Sequence, residues 1–135
     1  MQATCIAGMQ QQESRCLPSA TDNVIMLMNA NNLLDDLPAD LPDELFTPLL
    51  KASNVRIERI VSHGHASPPG FWYDQDDNEW VVVIEGRAAI EFEGRAEPVE
   101  LRRGSYMNIP AHAKHRIVST DPNQKTVWLA VHYRG

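Results

Sequence analysis

The chain has 135 residues with 43% hydrophobic and 22% charged residues, the mix of one soluble globular domain with room for a single core. No apolar run approaches the roughly 18 residues of a membrane-spanning helix, and no basic stretch leads into an apolar one at the start, so neither a membrane protein nor a secretory leader is expected. The net charge of −6 is unevenly placed. Residues 31–50 hold Asp35, Asp36, Asp40, Asp43 and Glu44 with no Lys or Arg, while residues 51–135 balance at eleven of each sign. A balanced body with an acidic lead-in has no basic face for a phosphate backbone, which argues against nucleic-acid binding.

Residues 1–30 are rich in Gln, Ser, Ala, Thr and Asn without helical or strand periodicity, and are expected to be a poorly ordered extension. Cys5 and Cys16 lie there, remote from every histidine, and read as free thiols of a cytoplasmic protein. Met26 and Met28 precede the first regular stretch, so translation starting near them is an alternative to Met1. Residues 31–53 carry leucines at short intervals but are cut by Pro38, Pro42 and Pro48, which stop a long helix and leave room for one short turn at Pro42-Asp43-Glu44. This segment is expected to be an irregular or helical acidic arm laying its leucines and Phe46 on the body.

From residue 54 to 135 the pattern is strand after strand. Val55, Ile57 and Val61 share a parity; WVVVIEG at 80–86 is a β-branched run ending in glycine; and Ile90 and Phe92 share a face of 88–94. Short strands follow at 98–101, 105–110, 114–119 and 126–133, separated by turns such as Glu93-Gly94-Arg95 and Asp121-Pro122-Asn123. Seven or eight short strands and no crossover helix predict an all-β antiparallel sandwich or barrel.

Four of the five histidines fall in two groups, His63-Gly64-His65 and His112-Ala113-Lys114-His115. At i and i+2 on a strand, His63 and His65 would share a face and could grip one ion. His115 shares the apolar face of its strand with Ile117, and Glu79, just before a strand, could add an oxygen ligand. Three imidazoles and a carboxylate suit Fe, Mn, Ni, Co or Zn and leave open positions for a substrate or dioxygen. The loop Ser67–Gln75 holds Pro-Pro-Gly and then Phe71, Trp72 and Tyr73, which either line a pocket mouth or cap the barrel and pack on a twin subunit. Asp74-x-Asp76-x-Asn78 imitates the opening of a calcium loop, but Glu79 stands where that loop needs glycine and a strand follows. His112 reads as a rim residue, and His132, opposite in parity to Val131 and Tyr133, as a surface or interface residue.

These residues resemble the cupins, small jelly-roll or double-stranded β-helix barrels. Their first motif, G-x5-H-x-H-x3-4-E-x6-G, is matched by His63-x-His65, then by Glu79 and six residues on by Gly86. The second, G-x5-P-x-G-x2-H-x3-N, is matched by Gly104, Pro110 and His115. Ile57 replaces the first glycine, thirteen residues separate His65 from Glu79, His112 replaces a glycine and Ser119 the asparagine. The resemblance covers about residues 54–133 and implies a cupin-type antiparallel jelly-roll barrel, paired as a homodimer. It implies one divalent transition metal (Fe, Mn, Ni or Zn) held by His63, His65, Glu79 and His115. It also implies a metal-dependent, dioxygenase-like enzyme acting on a small molecule, with Tyr73 or His112 handling protons. A small-ligand-binding or sensor cupin without turnover, with or without metal, is the alternative.

Overall fold

A computed structural model describes Ala20 and residues 28–135, so the thiols Cys5 and Cys16, Met26 and nearly all of the N-terminal extension lie outside the described residues. The chain divides into two compact units, residues 1–32 and 33–135. In the first, residues 28–32 are exposed and belong to no strand.

The second unit holds eight strands: β1 (Leu45–Lys51), β2 (Val55–Ser62), β3 (Asn78–Glu85), β4 (Arg87–Phe92), β5 (Val99–Arg102), β6 (Tyr106–Ile109), β7 (His115–Thr120) and β8 (Thr126–Tyr133). All pairings are antiparallel, in a five-stranded sheet ordered β1-β2-β8-β3-β6 and a three-stranded sheet ordered β5-β4-β7. The expected all-β jelly roll is therefore present, and residues 28–135 contain no helix. Val81, Val83, Ile109 and Trp128 of the large sheet meet Ala88, Ile90 and Leu101 of the small one in an apolar core.

The arm differs from expectation at its end. Leu45–Lys51 is an edge strand on β2, with its register shifting between Pro48 and Leu50. Proline is tolerated there because an edge strand has a free side and the irregularity relieves the ladder. Its Phe46, Leu49 and Leu50 stay about half exposed (49%, 46% and 48%), so they do not all lie down on the body. Further back, the buried Arg59 guanidinium donates to the carbonyls of Leu33 and Asp35 at 3.0 and 2.7 Å and ties that turn to β2.

Two glycines have positions only glycine suits. Gly86, in the β3–β4 turn, has φ +84°, and a Cβ there would stand 2.8 Å from Thr126 Cα and 2.9 Å from Lys125 O. Gly64, at φ +72°, turns the chain out of β2, and its N–H donates to Asp121 O at 2.9 Å.

From Gly64 the chain follows the free edge of β7. Thr120 Oγ1 donates to His65 O at 2.6 Å, Ser67 and Ile117 bond through Ser67 N–H and Ser67 Oγ, and Tyr73 and His115 exchange backbone bonds of 2.7 and 3.1 Å. The loop 66–78 is thus a strap that covers an edge and delivers Tyr73 to the side of His115.

Candidate functional site

A cavity of about 360 Å³ opens between the sheets. The alternation of strand side chains decides what lines it. On β8, Trp128, Ala130 and His132 are buried while Leu129, Val131 and Tyr133 are less so, and Trp128 and His132 line the cavity. The cross-strand register then places Arg56 of β2 and Glu79 of β3 on either side of His132, and Ile109 of β6 beyond Glu79. Val81, Ile90, Ile109, Ile117 and Trp128 make the floor apolar.

Glu79 and His115, both buried, meet here with Oε2 and Nε2 3.6 Å apart, an ion-pair distance too long for a direct hydrogen bond. His115 Nδ1 lies 2.8 Å from the carbonyl of Ala113, which can only accept, so Nδ1 carries a proton and Nε2 is left for Glu79. Burial pushes the His115 pKa down. The Glu79 carboxylate at Nε2 and the Ala113 carbonyl push it up and prevail, leaving it above the ordinary imidazole value. Neutral His115 would aim a lone pair at a carboxylate; the protonated ring aims an N–H.

Tyr73 completes the group, its ring stacked on that of His115 at 5.5 Å and 26°. Burial raises its pKa, and the carboxylates of Glu44, Glu79 and Glu58 add to the rise, so it is a phenol donor at neutral pH. Phe71 meets Tyr73 edge-on at 4.8 Å, and Phe92 flanks His115 at 5.9 Å. Gln75 also lines the cavity; Trp72 does not.

The four residues expected to hold a metal separate into two pairs. Glu79 and His115 come together, whereas His63 and His65 line no part of the cavity. The i, i+2 rule fails for them because β2 ends at Ser62 and Gly64 turns the chain away. His63 is exposed. His65 Nδ1 accepts from the His63 amide at 2.9 Å, so its Nε2–H donates to Pro42 O at 3.1 Å, and neither nitrogen has a free lone pair. The donor set implied by the resemblance therefore does not fit a metal centre in this arrangement. Among the described residues no group of three or more His, Cys, Asp or Glu side chains could hold a metal ion.

Counting back from Glu79 by the spacing of the first motif lands on Tyr73-x-Gln75, and both line the cavity where the histidine pair would stand. Gln75 was not singled out from the sequence, although that count would have found it. Neither was the pair of His132 and Glu58, with Nε2 and Oε1 3.0 Å apart in the cavity wall. His132 shares parity with the buried Trp128 and Ala130, so it faces inward and is not the surface residue expected.

His112 stands outside the cavity with φ +63°, which explains why the second motif has glycine there. Its N–H donates to Gln75 O at 2.8 Å, while its ring lies 2.8 Å from Asp74 and 3.5 Å from Asp76. It pins the strap that carries Tyr73 and Gln75. The acidic run has no calcium geometry: Asp74 and Asp76 face His112, Asp77 bonds Arg134, and Asn78 Oδ1 accepts from the Ala111 amide.

A two-sheet antiparallel jelly roll with a cavity between its sheets is the architecture of the cupins. The Cupin domain family model matches residues 58–132, more than half of the chain, and the chain belongs to the cupin family. Among solved structures it is similar to a protein of Ralstonia eutropha JMP134 described as a "putative mannose-6-phosphate isomerase", with 50% identity, a TM-score of 0.77, and coverage of 79% of this chain and 99% of that one. A cupin superfamily protein of Desulfitobacterium hafniense DCB-2 aligns at 17% identity and TM-score 0.60 over 92% of this chain and 94% of its own. An RmlC-like cupin of Methanocaldococcus jannaschii, a double-stranded β-helix, aligns at 19% and 0.57 over 73% and 86%. The last two share the fold alone. No curated protein matches the chain. Among the described residues no helix is long and apolar enough to cross a membrane.

Proposed function

We propose that this cupin binds a small polar molecule and moves protons on it, an isomerase-like activity centred on Glu79 and His115. The observation that carries the reading is the buried contact of 3.6 Å between the two groups, set in a cavity of about 360 Å³. Against the effect of burial, the Glu79 carboxylate and the Ala113 carbonyl favour the protonated ring of His115, so a proton donor and a proton acceptor stand together. The carboxylate takes a proton from a carbon acid or hydroxyl, and His115 Nε2–H gives one to a carbonyl oxygen. Tyr73 hydrogen-bonds the oxygen on which charge develops, and the apolar floor keeps bulk water from competing. Protonated Glu79 then gives its proton to the neighbouring carbon while neutral His115 takes the proton of the adjacent hydroxyl, which completes the isomerisation and resets the pair. The 50% identity to a protein described as a "putative mannose-6-phosphate isomerase" supports this class of chemistry.

The test is deuterium incorporation from heavy water into a panel of small hydroxycarbonyl compounds, followed by proton NMR with wild type, Glu79→Gln and His115→Gln. Exchange by wild type that both variants lose, and that survives chelation, supports proton transfer by the pair. Exchange lost on chelation, with one equivalent of iron, manganese, nickel or zinc by mass spectrometry, returns the reading to a metal-dependent cupin. Binding without exchange makes it a sensor or carrier.

A further inference from the structure

The main cavity adjoins a second one of about 230 Å³ at the β1–β2 turn, and Arg56, Asp77, His132 and Arg134 line both. Lys51 also lines the second. Cross-strand pairing puts these groups in one row over the large sheet: Lys51 opposite Arg56, Arg56 opposite His132, His132 opposite Glu79. Neighbouring strands lie about 4.8 Å apart, so Arg56 is rooted about 10 Å from Glu79.

The charges along this row are not evenly compensated. Each carboxylate lining the main cavity has a partner on the chain. Glu44 accepts from Ser62 Oγ at 3.0 Å, Glu58 pairs with His132, Asp76 with His112, Asp77 with Arg134, and Glu79 with His115. Among the described residues Lys51 and Arg56 have no ion-pair or hydrogen-bond partner, and Arg134 is already held by Asp77. The second cavity carries three cations, Lys51, Arg56 and Arg134, against one carboxylate, Asp77, within a chain whose net charge is −6. An unpaired guanidinium beside a pocket suits a phosphate or carboxylate, which it can grip with two N–H groups.

From this row we infer that the substrate is a small anion, its phosphate or carboxylate held by Arg56 with Lys51 and its other end presented to Glu79 and His115. The role of the far end rests on the proton-transfer reading; the anion site does not. A span of about 10 Å between the two ends, shortened by the reach of the arginine, fits an acid or phosphoester with a short carbon chain.

The experiment is calorimetric titration of the full chain with inorganic phosphate and, separately, with succinate, at low and at raised salt. The proteins compared are wild type, Arg56→Gln, Lys51→Gln and His115→Gln. Arg56 and Lys51 are exposed, so their variants should fold, and unchanged melting temperatures check this. Saturable binding that weakens about tenfold or more in Arg56→Gln, less in Lys51→Gln, and falls with salt is expected. Preference for phosphate makes the substrate a phosphoester and preference for succinate a carboxylic acid. No saturable binding of either anion, or equal binding by wild type and Arg56→Gln, overturns the inference. His115→Gln keeps the anion and loses only deuterium exchange, so failure of the proton-transfer reading and failure of the anion site are seen separately.

Discussion

Gly86→Ala should be among the most damaging small changes in this protein, and its cost can be built from two parts. The first is conformational: a φ of +84° disfavours a residue with a Cβ by about 1–2 kcal/mol. The second is steric. The new Cβ would lie 2.5 Å from Thr126 Oγ1, 2.8 Å from Thr126 Cα and 2.9 Å from Lys125 O. Two of these are backbone atoms, so no rotamer change relieves them, and forcing extra volume into a packed site costs about 1–3 kcal/mol. The total is about 2–5 kcal/mol, a large share of the roughly 5–15 kcal/mol that stabilises a domain. Gly94 supplies the control, since its φ is +81° but nothing lies within 4 Å of its Cβ position. Gly94→Ala should therefore cost about 1–2 kcal/mol, the conformational part alone. Urea unfolding followed by tryptophan fluorescence, with melting by circular dichroism, measures both, and a body of roughly a hundred residues loses about 4 °C or more per kcal/mol. Gly86→Ala falling no further than Gly94→Ala would refute the close approach of β8 to this turn. That approach matters beyond stability, because Thr126 opens β8, which carries His132 and sets its register against Glu79.

Three further predictions test the site and the core. His115 has a folded pKa above its unfolded one, so its stabilising effect is fully present below the unfolded value near 6.5 and disappears as pH rises through the folded value. The melting-temperature gap between wild type and His115→Gln should be widest at about pH 5–6.5 and narrow above that, and a gap that widens with rising pH would contradict the Glu79 contact. Ile90→Ala removes a side chain 1% exposed in the core cluster and should cost about 2–5 kcal/mol by urea unfolding; a loss under about 1 kcal/mol would place Ile90 outside the core. His63→Ala should change stability by less than about 0.5 kcal/mol and leave ligand binding intact, while His65→Ala, which loses two hydrogen bonds, should cost about 1–3 kcal/mol and also leave binding intact. A tenfold loss of metal or ligand binding in His63→Ala would restore the histidine pair to the site.

The strands after residue 54 are legible in the sequence because each is a β-branched or alternating run between strong turn formers, and burial on two facing sheets asks for nothing more. β1 is not legible, because Pro48 and an acidic approach argue against a strand and only its place at an edge permits one. Glu79 and His115 could be found because motif spacing, a local property, fixes them relative to Gly86 and Gly104. His63 and His65 illustrate the limit. Their pattern is right for a strand, but β2 ends at Ser62, three residues short of His65, and an end is set by the turn at Gly64 and its bond to Asp121, 57 residues away in sequence. His132 was readable from parity with Trp128 and Ala130, yet judging which face of a central strand looks inward needs the neighbouring strands as well.

The strap 66–78 is the step that changes the chemistry of the site. By running along β7 it exhausts thirteen residues and re-enters β3 with Tyr73 and Gln75 at the spacing of the first cupin motif. Two imidazoles are thereby exchanged for a phenol and an amide in the cavity wall. Imidazole nitrogens favour transition metals, whereas a phenol and an amide are hydrogen-bonding groups that orient a polar substrate. Two imidazoles remain in that wall, each facing a carboxylate: His115 with Glu79 and His132 with Glu58. His112 then holds the strap from outside, gripping Asp74 and Asp76 with its ring and the Gln75 carbonyl with its N–H. A barrel built in this way keeps the fold's pocket with two carboxylate–imidazole contacts in its wall, while the strap supplies Tyr73 and Gln75 to the cavity and Arg56 and Lys51 stand in the row beyond His132.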